Sequence, residues 1–205
     1  MNIFLYVIFN IVLFKIFAMQ TKNYIFKQFL LAFACVLFSF SAYTQSYTTV
    51  WNTGATTNIT IPATGTYNIS WQLDGNPSIN GTAIGNGSTT VTFPASGIYR
   101  VFITPTGATP FNQIAFNNCG DRQKLIRIEQ WGNIAWSSFN AAYFGCSNLT
   151  ITATDIPNLS GVADMYRAFR GCTSITTIPN INSWTTTTIT NMREIFYGAV
   201  AFNSP

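Results

Sequence analysis

Three segments near the C-terminal end of the chain carry apolar residues at positions i, i+3, i+4 and i+7. They are residues 139–146, 165–172 and 192–199, and their starts lie 26 and then 27 residues apart. This spacing is typical of one stripe of an α-helix. Glycine follows six residues after each start, and glycine suits the residue that ends a helix because it accepts positive φ. The pattern predicts three short helices, each about two turns long and stable only when packed.

Short β-prone runs rich in threonine and isoleucine follow the first two predicted helices, at 149–152 and 175–178. Residues 124–131 predict the strand that opens the array. A helix and strand that recur at a fixed period cannot bury their apolar side alone, but stacked neighbours can. The C-terminal half is therefore predicted to be a short leucine-rich-repeat-like α/β solenoid.

Two of these units follow a specific pattern, roughly Val-x-Asn-Met-x-x-Met-Phe-x-Gly-Cys-x-x-Leu, at residues 163–175 and 189–198. By this pattern residues 119–205 resemble the BspA-like surface-protein repeat of mycoplasma-type lipoproteins and oral Bacteroidetes. Residues 120–132 also resemble the lead-in of such arrays in flavobacterial secreted proteins. The resemblance implies a bacterial protein that is secreted or held at the cell surface. Because residues 201–205 fall in mid-repeat, the array is expected to be a truncated part of a longer one.

Residues 46–118 show alternation of apolar and polar positions instead of helical stripes. The alternating runs are 57–61, 67–71, 89–93 and 98–103, with turn signals such as Asp74-Gly75 and Asn80-Gly81 between them. Short strands at this spacing predict an antiparallel β-sandwich. Residues 92–101 resemble the last hairpin of a PKD-like domain, and another immunoglobulin-like sandwich is the alternative. The fold class expected for the whole chain is α+β, with the sandwich first and the solenoid second.

Residues 1–45 have the composition of a targeting leader. Lys22 and Lys27 precede an apolar run at 29–38, and small residues follow it, as in a signal peptide. Met19 is the natural start of such a peptide. Residues 1–18 are then either an extension from a misplaced start or a short membrane helix. Contact with the membrane is expected only through this leader.

The charge pattern argues against nucleic-acid binding and catalysis. The net charge is +4, but three of the lysines lie before residue 46, so the remainder carries seven basic and six acidic side chains, or +1. A surface this neutral lacks the basic patch that phosphates require. The chain has no histidine, which removes the commonest general base and metal ligand. The acidic pairs considered, Asp74 with Glu129, Asp155 or Asp164, are too scattered to predict a glycosidase. We expect no catalytic, cofactor-binding or metal-binding residues, and no enzyme.

Three cysteines and several aromatic residues leave alternatives open. Cys146 and Cys172 hold the same position in consecutive repeats, so they form either a disulfide or a buried column of free thiols, and Cys119 is left over. Five aromatic residues are candidates either for a sugar-binding face or for core packing: Trp131, Trp136, Trp184, Tyr166 and Tyr197.

The sequence thus predicts a secreted, non-catalytic binding or adhesion module whose repeat surface contacts an extracellular protein or glycan. Two alternatives stand beside this prediction. One is a structural scaffold of the cell envelope without a specific ligand. The other is an accessory carbohydrate-binding part of a larger secreted enzyme.

Overall fold

The computed structural model describes residues 46–204, and all of them belong to one compact unit. The predicted leader, with the alternative of a membrane helix at 1–18, lies outside the described residues. Within 46–204 there is no helix with the length and apolar character needed to cross a bilayer.

The described part of the chain is built from ten strands, of which six form one sheet in the order β10-β9-β1-β7-β4-β5. Strands β2 and β6 form a second sheet, and β3 and β8 a third. All pairings are antiparallel except β9 with β10. The strands are β1 Tyr47–Asn52, β2 Asn58–Ile61, β3 Ala63–Thr64, β4 Thr66–Leu73, β5 Asn76–Asn86, β6 Thr89–Thr92, β7 Ile98–Thr106, β8 Gln113–Ile114, β9 Leu125–Gln130 and β10 Thr150–Ile151.

The core lies between the six-stranded sheet and the two small sheets. Alternate residues of β4 (Tyr67, Ile69 and Trp71) are buried, as period-two alternation requires of a strand with one face inward. Phe93, just after β6, meets Trp71 edge to face with ring centroids 5.1 Å apart. The same hydrophobic cluster continues into the C-terminal half through residues such as Trp131.

The strands predicted at 57–61, 67–71, 89–93, 98–103, 124–131 and 149–152 are confirmed by β2, β4, β6, β7, β9 and β10. The turn predicted at Asn80-Gly81 is wrong, because both residues lie inside β5. A side chain at Gly81 would meet the ring of Trp71 at 2.4 Å, so this glycine makes room for the ring. The predicted strand at 175–178 is absent. The PKD-like form of the first half stays a prediction.

The α+β fold class, with a leucine-rich-repeat-like α/β solenoid, is wrong. In residues 46–204 the helical structure amounts to one 3-10 turn at Ile181–Ser183, and none of the three predicted helices forms. Each of those segments is instead a pair of consecutive β-turns. In the first segment the Ala142 amide donates to the Phe139 carbonyl, and the Cys146 amide donates to the Tyr143 carbonyl, both at 3.0 Å.

The third residue of each turn has positive φ, from 50° at Ala141 to 83° at Gly145. A positive φ at this position alone is the mark of a type II turn. In the first two segments the first and fourth residues of both turns are buried, while in the third Met192 is 43% exposed. Two consecutive turns place these residues at i, i+3, i+4 and i+7. The apolar stripe of a helix and that of a turn pair are therefore the same, which is why the sequence pattern suggested helices.

Each turn pair lies on the next one, and we call each pair a layer. Four amides of the first layer donate to carbonyls of the second layer or of Asp164 just before it, at 2.8–2.9 Å. Four amides of the second layer donate to carbonyls of the third or of Asn191 just before it, at 2.8–3.1 Å. Tyr143, Phe169 and Phe196 stack in one column, with centroids 5.3 and 5.5 Å apart and planes within 12° of parallel. The repeat of 26 and 27 residues is thus the distance along the chain between hydrogen-bonded layers.

A further half layer precedes the three repeats at residues 116–119. The Cys119 amide donates to the Phe116 carbonyl at 2.9 Å, but Asn117 and Asn118 both have positive φ (47° and 59°), so this turn is of type I′ where the layers have type II. The amides of Phe116 and Asn118 donate to the carbonyls of Ala142 and Phe144. Strand β9 pairs with β1, so one sheet joins strands from both sides of residue 118.

Candidate binding surface

The second residue of each turn lies on the outer side of its layer, and in the second and third layers the third residue of the first turn, Arg167 or Glu194, is also partly exposed. In the column of first turns the second residues are Asn140, Tyr166 and Arg193, and in the column of second turns they are Phe144, Arg170 and Tyr197. The inner positions are occupied by buried residues such as Phe139, Met165 and Cys172. The turn geometry therefore builds an outward surface with one row of side chains per layer.

Arginines and aromatic rings alternate on this surface. The Arg170 guanidinium lies between the rings of Phe144 and Tyr197, 5.3 and 4.6 Å from their centroids. The Arg167 guanidinium lies 4.4 Å from the ring of Tyr166 and 5.8 Å from that of Phe144. Such cation–π contacts hold a guanidinium in place without a counter-charge. We call the set Phe144, Tyr166, Arg167, Arg170, Arg193, Glu194 and Tyr197 the arginine–aromatic face.

Glu194 is the carboxylate at the centre of this face. Arg167 donates to it at 2.8 Å, Arg170 also donates to it, and Arg193 lies 3.5 Å away. The hydrogen bond from Arg167, assisted by the charges of Arg167 and Arg170, lowers the pKa of Glu194. The face thus holds three guanidinium groups around one ionised carboxylate.

The neighbouring charges leave the face cationic. Asp164 lies beside it, and its carboxylate accepts hydrogen bonds from the Asn140 side chain at 2.6 Å and from the Tyr166 amide at 2.8 Å. Arg122 lies next to Gly145, at the edge of the face, and its Nε is buried without a hydrogen-bond partner. Arg193 is the most open of the cations, with 76% of its side chain exposed. Tyr197 is 64% exposed.

The five aromatic candidates from the sequence divide between the core and the surface. Trp131, Trp136 and Trp184 are buried, and Trp131 meets Trp184 edge to face at 5.5 Å. For these three tryptophans the core-packing alternative is therefore correct, and the sugar-binding alternative is wrong. Tyr166 and Tyr197 lie on the arginine–aromatic face. A sugar-binding platform made of all five is therefore absent.

The cysteines are free, as one of the two alternatives had it. Cys146 and Cys172 are buried in the column of layers, while Cys119 is exposed. Burial raises the pKa of the Cys172 thiol to about 12 and also raises that of Cys146. Both thiols stay protonated near neutral pH and are poor nucleophiles.

The carboxylates serve structural contacts. Asp155 accepts hydrogen bonds from the amides of Trp131 and Gly132, and Asp121 accepts one from the Thr60 amide. Glu129 binds Arg100 at 2.6 Å and Arg127 at 2.8 Å. Within residues 46–204, no three histidine, cysteine or acidic side chains come together as a metal site would require.

Most of the arginine–aromatic face was missed from the sequence. The two tyrosines were singled out, but Phe144, the three arginines and Glu194 were not. A signal existed, since these residues occupy the second, third and sixth positions of each repeat, between the apolar positions. It could be interpreted only once the turns and their register were known.

No curated protein and no solved structure matches this chain. A family model does match its C-terminal part, and the matched range includes the half layer at 116–119 as well as the three repeats. That range, residues 111–205, matches the family described as "Mycoplasma protein of unknown function, DUF285", which supports the mycoplasma-type resemblance of the repeats.

Proposed function

We propose that this protein is a non-catalytic binding module of a bacterial cell surface, and that it contacts an extracellular partner through the arginine–aromatic face. The supporting observation is the placement of three arginines and three aromatic rings on one lateral face of the stacked layers. The match to a mycoplasma family is consistent with an extracellular role.

Stability alone does not account for this face. The layers are already joined by four backbone hydrogen bonds at each step. The salt bridge of Arg193, whose side chain is 76% exposed, contributes little to folding, and Tyr197 is 64% exposed. Arginine and tyrosine are, however, enriched among the few residues that dominate the energy of binding interfaces. A face that combines them favours recognition over a purely structural scaffold.

A non-catalytic role agrees with the chemistry of the same region. The buried thiols are held protonated, and the carboxylate on the face is fully engaged by arginines. A general base needs a free acceptor whose pKa lies near the working pH. Glu194, with its lowered pKa, meets neither condition.

The test is retention of the purified full chain on immobilised extracellular-matrix proteins and on insoluble polysaccharides. The double variant Arg193→Gln with Tyr197→Ser removes one charge and one large exposed ring from the face. The matched control, Arg127→Gln with Ile84→Ser, removes one charge and one large exposed apolar side chain from the six-stranded sheet. Ile84 is 81% exposed.

We expect saturable retention that the face variant loses and the control keeps. Equal retention of both variants would show that binding occurs on another surface and would contradict the proposal. Failure of the wild-type chain to bind any matrix protein or polysaccharide would favour the scaffold.

A further inference from the structure

The arginine–aromatic face also indicates what kind of ligand it takes, and this step rests on the proposed binding role. We propose that the ligand is an anionic polysaccharide, recognised through carboxylate or sulfate groups on its sugars. Arginine suits both groups because its planar fork of donors pairs with two oxygens at once.

Two tyrosine rings of the face have part of their surface taken up by arginines, which leaves less of each ring for stacking on a neutral sugar. Arg170 lies over Tyr197 at 4.6 Å and Arg167 lies over Tyr166 at 4.4 Å, so a face of each tyrosine is already covered by a guanidinium of the chain itself. The rings hold the guanidinium groups of Arg167 and Arg170 in place. Because these side chains are already ordered, binding a ligand costs less conformational entropy than it would with freely rotating arginines.

The arginines retain capacity for an external anion. Arg167, Arg170 and Arg193 share Glu194, and the contact from Arg193 is long at 3.5 Å. Asp164 is turned toward Asn140 and the Tyr166 amide. Each guanidinium has five donor hydrogens, so one carboxylate satisfies only a small part of the set. A ligand that brings further oxyanions would complete it.

An acidic peptide fits the same face less well. Most peptide-binding sites offer exposed backbone edges or apolar grooves, although clusters of arginines also bind acidic motifs. The amides at the outer positions are already used inside the stack: the Arg170 amide donates to Arg167, the Tyr197 amide to Glu194, and the Arg193 amide to the Asn191 side chain. The face offers side-chain donors only, and a polymer with regularly repeated anions uses such donors without a pocket.

The experiment measures binding of the purified full chain to four soluble polymers: dextran sulfate, polygalacturonate, neutral dextran and polyglutamate. We expect binding to one or both anionic polysaccharides that weakens as salt is raised, and no binding to neutral dextran. The two anionic polymers distinguish a sulfate from a carboxylate ligand. Arg193→Gln is expected to weaken the interaction about five-fold, as for one exposed charge contact. Arg127→Gln, with the same loss of charge on the sheet, is expected to leave it unchanged.

A second variant separates charge from arrangement. Arg170→Lys keeps the positive charge but loses the planar group that lies between Phe144 and Tyr197, and we expect it to weaken binding by a similar factor. Circular dichroism and the unfolding midpoint check that both face variants are folded.

Two results would overturn the ligand class while leaving the binding role intact: a preference for polyglutamate, or equal binding of neutral dextran. A third would be wild-type affinity of Arg193→Gln and Arg170→Lys for the anionic polymers, if the double variant Arg193→Gln with Tyr197→Ser still fails to bind matrix proteins. If no variant of the face changes retention of any partner, the proposed binding role itself is wrong.

Discussion

The six-stranded sheet and the stacked layers bury their apolar residues in different ways, although they share one core. In β4, the inward residues alternate along a nearly straight backbone, and few other structures produce this period. In a layer, inward residues fall at the ends of two consecutive turns, and a helix places them at the same spacing. The comparison shows that an apolar stripe identifies which residues face inward, while the path of the backbone between them depends on hydrogen bonds to residues about 26 positions away.

The largest expected effect comes from removing a ring in the middle of the column of layers. Phe169 is buried between Tyr143 and Phe196, so Phe169→Ala should lower the free energy of unfolding by about 3–5 kcal/mol. Ile69→Ala in β4 should cost about 2–5 kcal/mol. Because the hydrophobic cluster is continuous, both should shift a single urea-unfolding transition, followed by circular dichroism and by tryptophan fluorescence.

Phe144→Ala is the control for this pair, since Phe144 lies on the outer side of its layer and is only half-buried. We expect it to cost about 1 kcal/mol. Two separate transitions in Phe169→Ala, with the sheet unfolding as in the wild type, would show that the layers and the sheet are independent.

An intermediate effect distinguishes turns from helices directly. Ala141 has φ 50°, a conformation that costs a residue with a side chain about 1–2 kcal/mol. Ala141→Gly relieves this cost but loses a methyl contact of about 0.8 kcal/mol and adds about 0.5–1 kcal/mol of backbone entropy, so stability should change by less than about 1 kcal/mol in either direction. Ala142→Gly, one residue later at an inward position, should lose about 1–2 kcal/mol.

In a helix both glycine variants would be destabilised by about 1 kcal/mol. The midpoint of chemical unfolding measures the difference. Equal losses in Ala141→Gly and Ala142→Gly would contradict the turn geometry of the layers.

The smallest effect is the response to acid, which compares the carboxylate of each region. Burial alone would raise the pKa of Glu129, but the hydrogen bonds and charges of Arg100 and Arg127 outweigh it, so the pKa is lowered. That of Glu194 is lowered as well. A lowered pKa in the folded state contributes stability above the unfolded value, about pH 4.3, and the contribution is lost as the pH falls through the folded value.

Unfolding free energy should therefore be flat from pH 8 to about 5 and decline below about 4. Glu194→Gln and Glu129→Gln should each flatten part of the decline. A chain whose stability rises on acidification would be inconsistent with both ion-pair clusters.

Strand positions were predictable because the sheet's pattern is local. The alternation at 67–71 and 98–103 marked β4 and β7 correctly. The inward residues of the layers, such as Met165 and Phe169, were also identified correctly, although as parts of a helix. The half layer at 116–119 was missed, yet its Phe-Asn-Asn-Cys aligns with Tyr-Phe-Gly-Cys at 143–146.

The binding face could not be predicted because its contacts join different layers. Arg170 touches Phe144 and Tyr197, which lie 26 and 27 residues away in the sequence. These contacts depend on the turn type, which determines which side chains point outward. They also depend on the register between layers, which determines which side chains are stacked on each other. Neither is encoded in the spacing of apolar residues alone.

The outer corners of the turns have one further consequence. Since the inner corners and the interlayer amides hold the scaffold together, the residues at the second and sixth positions are constrained mainly by their neighbours above and below. Natural variation can then exchange these side chains in vertical pairs without rebuilding the interior. Related chains with the same stacked backbone could therefore carry different side chains on this face. Their binding partners could change without any change of fold.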